Sequence, residues 1–188
     1  MEQSIGSMKT TSDFGRKLYD LWNKSVVAYE REAKVGANLF DQSELDFLEA
    51  NGMTIQNLYD YAEDFVNCGE PDFAMVLLIQ EVCRDYLLEE CAGIVSRKKL
   101  SADAFPERTL EKEGIVGLDR IFEKARAKLH GEISSELMYS CPSDRAFLRE
   151  NHIHPAEFLR LVWFYEKNRD PKDDLVKWIL HRRKQHRE

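Results

Sequence analysis

The 188-residue sequence predicts an all-α fold made of two tandem copies of a roughly four-helix unit, packed with pseudo-two-fold symmetry. Three observations carry that expectation. Apolar residues recur at three- and four-residue spacing along most of the chain, the period of an amphipathic helix. No run alternates apolar and polar residues over a length that would make a strand. The stretch Ser143 to Trp178 also resembles Ser43 to Leu78, one hundred positions upstream, without a gap. The pairs Ser43/Ser143, Phe47/Phe147, Leu48/Leu148, Asn51/Asn151, Pro71/Pro171 and Val76/Val176 are identical. Across positions 18–79 and their counterparts about ten residues agree, against roughly four expected from average composition. Prolines, caps and turns falling in register weigh more than that number. Two helical hairpins with similar punctuation are the alternative.

Taken in order, residues 1–11 read as a frayed leader. Phe14, Leu18, Leu21, Trp22, Ser25 and Tyr29 then mark a helix that Ser12 or Asp13 can cap and Gly36 can stop. Asp41 to Ala50 is a short helix closed by Asn51-Gly52. Thr54 caps the next, whose inner face is Leu58, Tyr61, Ala62 and Phe65. Pro71 suits a first helical turn, where a missing N–H costs nothing. It opens the most apolar helix, Phe73 to about Ala92, expected to lie centrally and to form the contact between the copies. The charged run Arg97 to Gly114 reads as a linker. Leu118, Ile121, Phe122, Ala125 and Leu129 form a helix closed by His130-Gly131, and further helices start at Ser143, Pro155 and Pro171. The resulting boundaries are copy 1 at 12–96, a linker at 97–113 and copy 2 at 114–188, the copies forming one compact domain.

Composition narrows the function. A 43% apolar, 32% charged chain with net charge −7 is that of a soluble globular protein and argues against general nucleic-acid binding. No apolar run approaches the ~18 residues of a membrane span, and the start lacks a signal-peptide layout, so a cytoplasmic protein is expected. Cys68, Cys83, Cys91 and Cys141 form no CxxC pair. His130, Cys141, His152 and His154 lack the close pairing of a zinc site, so neither metal nor cofactor is expected. There is no glycine-rich phosphate loop, GxSxG or HExxH, and the expectation leans away from an enzyme.

The second copy contains Lys124-Ala125-Arg126 with Lys128, Leu129 and Gly131, then Cys141-Pro142 with Asp144, Phe147 and Leu148, then Pro155, Phe158 and Trp178. In these residues, over roughly 114–180, it resembles an uncharacterised bacterial family of domains of unknown function. The resemblance implies a small helical domain and no established activity. The first copy has Phe40-Asp41-Gln42 near where the second has Cys141-Pro142, so a site on that segment occurs once.

Candidate ligand or partner contacts follow from chemistry. Cys141 precedes a helix start that Ser143 can cap, where the helix dipole and Arg126 or Arg145 favour a thiolate. Asp144 complements the same helix end, and Lys124 and Arg126 add cations suited to a small anionic ligand. Lys124 is otherwise a solvated helix charge beside Lys128. Trp163 lies one residue from inward-facing Val162 and is a candidate outward anchor. The basic tail His181 to Arg187 opposes its own helix dipole without needing a ligand. The expected function is a non-enzymatic binding module engaging a protein partner or small ligand at the junction of its copies. The alternative is a small enzyme or ligand sensor with a Cys141/Asp144/Arg145 pocket. A homodimer is a further expectation.

Overall fold

The computed structural model describes residues 6–32 and 35–186, with eight α-helices in this order: α1 (Gly6–Glu30), α2 (Gln42–Ala50), α3 (Ile55–Cys68), α4 (Phe73–Glu89), α5 (Leu118–Leu129), α6 (Pro142–Glu150), α7 (Pro155–Tyr165) and α8 (Pro171–Gln185). The fold is mostly α-helical. The exception is a hairpin of two-residue strands, β1 (Glu111–Lys112) and β2 (Ile115–Val116), paired antiparallel. It sits just before α5, with Gly114 and Gly117 in the left-handed conformation that glycine adopts without a Cβ penalty. Such a short hairpin leaves no alternating pattern to find.

Helix starts are set by side chains that accept free first-turn N–H groups. Asp41 accepts from the Glu44 N–H at 2.9 Å, and Glu44 accepts from the Asp41 N–H at 2.8 Å. Thr54 and Asn57 exchange the same pair of bonds at the start of α3. At α7 the cap is His154, whose Nδ1 accepts from the Ala156 N–H at 3.2 Å while Glu157 accepts from the His154 N–H. Helix ends follow rules of their own. Asn51 and Asn151 each donate their side-chain amide to a carbonyl four residues back, Phe47 and Phe147, at 2.7 Å. Met53 and Ile153 then donate their N–H groups to Leu48 and Leu148.

Several boundaries differ from those expected. Helix α1 is already formed at Gly6, ahead of Ser12, and ends at Glu30, ahead of Gly36; residues 1–5 lie outside the described residues. Helix α4 starts at Phe73 as expected and ends at Glu89, short of Ala92. Pro71 lies ahead of its first turn, after a cis peptide bond, and Asp72 caps that turn by accepting from the Met75 N–H at 2.9 Å. Cys141, not Ser143, occupies the cap position of α6 and makes no side-chain cap bond. The segment expected as a linker contains a 3-10 turn at Ala102–Ala104 and strand β1. Its Leu100 N–H donates to the Glu132 carbonyl at 2.7 Å.

The chain divides into two compact units, Met1–Leu78 and Ile79–Glu188, the division falling within α4. In the first, α1 packs on α3. Trp22 meets Phe65 edge-on at 5.0 Å, and Phe14 lies against Phe47 at 5.7 Å. Lys24 bridges to Glu44 at 2.7 Å, joining α1 to α2. In the second, α7 touches α5, α6 and α8. Its Phe158, Leu159 and Val162 are fully buried, as are Leu118 of α5, Leu148 of α6 and Leu175 and Ile179 of α8. The basic tail is anchored: Arg183 donates to Asn151 Oδ1 at 2.7 Å, and Arg182 pairs with Glu157 at 3.2 Å.

Removing a fully buried aromatic loses transfer free energy and leaves a cavity. Phe158→Ala is expected to cost about 3–5 kcal/mol in urea unfolding. Phe164→Ala, at a side chain 71% exposed, is expected to stay within about 0.5 kcal/mol of the parent. Equal losses from the two would refute α7 as the centre of its unit.

Candidate functional site

The stripe of α5 formed by Leu118, Ile121, Phe122, Ala125 and Leu129 faces inward and carries Lys124 with it on its flank. Lys124 is 2% exposed, so it is not the solvated charge its sequence setting suggests. Its Nζ donates to Asp144 Oδ2 at 2.6 Å and lies 3.4 Å from Cys141 Sγ. The same carboxylate oxygen accepts from the Ser140 N–H at 3.1 Å. Arg145, also buried, donates to the Ser140 carbonyl at 2.5 Å. Ser140 itself adopts a left-handed conformation, with φ of 65°. Lys124, Cys141, Asp144 and Arg145 thus come together from α5 and the start of α6. Asp144 and Arg145 use the bonds just named on Lys124 and on backbone. Cys141 is part-exposed, with Ser143 Oγ 3.2 Å from its sulfur.

Arg126 and Trp163 lie elsewhere. Two residues beyond Lys124 on a helix is a turn of about 200°, and Arg126 accordingly faces outward, half exposed and paired with Glu123 at 3.1 Å. It lines a cleft of about 770 Å³ within the second unit. Tyr86, Phe105, His130, Glu132, Glu166 and Lys167 contribute to the same wall. The Tyr86 hydroxyl donates to Glu166 Oε1 at 2.8 Å and lies 3.0 Å from His130 Nε2. Since the phenol has one proton and gives it to Glu166, the His130 contact runs from Nε2–H to the phenol oxygen. Burial, and then the Glu166 carboxylate, push the Tyr86 phenol well above the ordinary tyrosine range. Trp163 meets Tyr86 edge-on at 5.3 Å and donates its indole N–H to Glu90 at 2.8 Å. Lys167 donates to the same Glu90 oxygen at 2.6 Å. That bond, and then the indole, hold the Glu90 carboxyl below its usual range. Trp163 is therefore half-buried, and the outward aromatic of α7 is its neighbour Phe164.

Sequence reasoning passed over Tyr86, Glu166, Glu132 and Lys167. Tyr86 lies 44 positions from His130 and 80 from Glu166, and no local spacing signals such a meeting. Among the described residues no group of three or more His, Cys, Asp or Glu side chains is arranged to hold a metal ion.

Breaking a buried ion pair from one side strands the other charge. Lys124→Met, which keeps the bulk of the side chain, is expected to cost about 3–5 kcal/mol in urea unfolding. Adding Asp144→Leu is expected to recover most of it, leaving about 1–3 kcal/mol for the orphaned Ser140 N–H. A Lys124→Met loss below about 1 kcal/mol would show that the pair does not tie α5 to α6.

No curated protein and no solved structure matches the chain. Residues 106–188, a span that takes in the 114–180 stretch and the Lys124, Cys141, Asp144 and Arg145 cluster, match the model of DUF5069, a domain of unknown function.

Proposed function

We propose that this chain is a helical binding module whose ligand site is the cleft around Tyr86, Arg126, His130 and Glu166. The cleft itself carries the reading. At about 770 Å³ it falls among small-molecule sites, which run from ~300 to ~1,000 Å³ and combine apolar walls with a few convergent polar groups. Tyr86, Leu100, Phe105 and Pro106 supply such walls.

Charge selects the ligand. The lining holds three cations, Lys98, Arg126 and Lys167, and three carboxylates, Glu123, Glu132 and Glu166. These six charges sum to zero. A bare multivalent anion would meet as much repulsion as attraction there. A small zwitterion, carrying an ammonium and a carboxylate, suits both signs. Arg126 is the group for the carboxylate, because its planar fork matches two oxygens. This reading puts a zwitterion in place of the small anionic ligand expected from sequence and leaves Lys124 outside the site.

Thermal unfolding of the full chain with free amino acids, dicarboxylates and inorganic phosphate as probes tests the reading. An amino-acid zwitterion at ~100 times its Kd is expected to stabilise the fold by about 2.7 kcal/mol. Arg126→Ala is expected to abolish that shift while leaving the ligand-free transition in place. A shift from phosphate alone, a shift that survives Arg126→Ala, or no shift from any probe would each overturn it.

A further inference from the structure

We infer that Cys141 and Lys124 are a peroxide-driven cross-linking site, in which oxidation of the thiol leads to a sulfur–nitrogen bond between the two side chains. The geometry is that of a reacting pair held ready. Lys124 Nζ stands 3.4 Å from Cys141 Sγ. Asp144 Oδ2, 2.6 Å from the same nitrogen, is placed to take a proton from it. Cys141 is part-exposed, so a small oxidant reaches its sulfur, whereas Lys124 is buried and held in place.

The chemistry balances in two steps. The sulfur attacks hydrogen peroxide, the O–O bond breaks, and the thiol becomes a sulfenic acid while the peroxide is reduced to water. A sulfenic acid condenses with a nearby nucleophile, a thiol or a nitrogen. All four cysteines of the chain are free, and the nitrogen already beside this sulfur is Lys124. The ammonium passes one proton to Asp144, and the freed amine attacks sulfur. The S–O bond breaks, and the departing hydroxide takes a second proton from nitrogen and leaves as water. The product is Cys–S–NH–Lys. The proton kept by Asp144 matches the positive charge lost from Lys124, so the buried site ends neutral and no carboxylate is stranded. A partner held in contact outpaces a dissolved thiol, because its positioning has already been achieved by the fold.

The test is peptide mapping of the full chain after brief treatment with hydrogen peroxide, with Cys141→Ser in parallel. The expected result is a joined pair of peptides containing Lys124 and Cys141, about 2 Da lighter than their sum for the two hydrogens lost. The pair should separate on reduction with a thiol and be missing from Cys141→Ser. Recovery of Cys141 as a sulfinic acid, about 32 Da heavier, beside an unmodified Lys124 peptide would overturn the inference. So would recovery of Cys141 as an unreacted thiol, or a joined pair that persists in Cys141→Ser.

Discussion

A lysine ammonium and an aspartate carboxylate removed from water together, Lys124 and Asp144, fix the middle of the second unit. Neither charge is tolerable there alone, and the pair is stable only at close approach with its remaining hydrogen bonds made. At 2.6 Å, with the Ser140 N–H on the same oxygen, both conditions hold. The pair sets where α6 begins relative to α5. The segment leading into α6 is fixed with it: Tyr139 donates to the Pro155 carbonyl at 2.8 Å, and Arg145 holds the Ser140 carbonyl. Tyr139, Ser140, Asp144 and Arg145 thus carry their buried hydrogen bonds within one short stretch of chain.

The same helix serves two surfaces through its periodicity. Lys124 faces the pair, and Arg126 lies on the wall of the cleft with Glu123 and, at the helix end, His130. Orienting one orients the other. Tyr86 meets this wall from α4, so the cleft uses a residue outside the 106–188 span that matches a domain of unknown function. The hydrogen bonds around it run from Glu166 through the Tyr86 phenol to His130, with Trp163, Glu90 and Lys167 alongside.

Helices were legible in the sequence wherever period and punctuation agreed. Thr54 caps as its position suggested, and Asn51 closes its helix, because a cap is a bond between near neighbours. Asp41 caps as well, at a position the sequence had not marked for it, and so does His154. Gly36 misled for a physical reason: a glycine permits a boundary without compelling one. The β1–β2 hairpin is too short to leave a pattern. The site was legible in part. The sequence singled out Lys124, Cys141, Asp144 and Arg145, and these do come together. It gave Lys124 the wrong environment, because burial of a lysine depends on a partner twenty positions away. Tyr86 and Glu166 were invisible, since their meeting is decided only once α4 and α7 are packed.

The cations of the cleft are already engaged, Lys98 by Glu132, Arg126 by Glu123 and Lys167 by Glu90. A charged molecule entering it therefore does not fill a vacant socket. It competes with an internal partner for each group it contacts, and binding becomes an exchange of one ion pair for another of similar strength. The Coulomb terms largely cancel in such an exchange. What remains to tell one guest from the next is the distance between its own charged ends, measured against the spacing of the charged groups around the cleft wall.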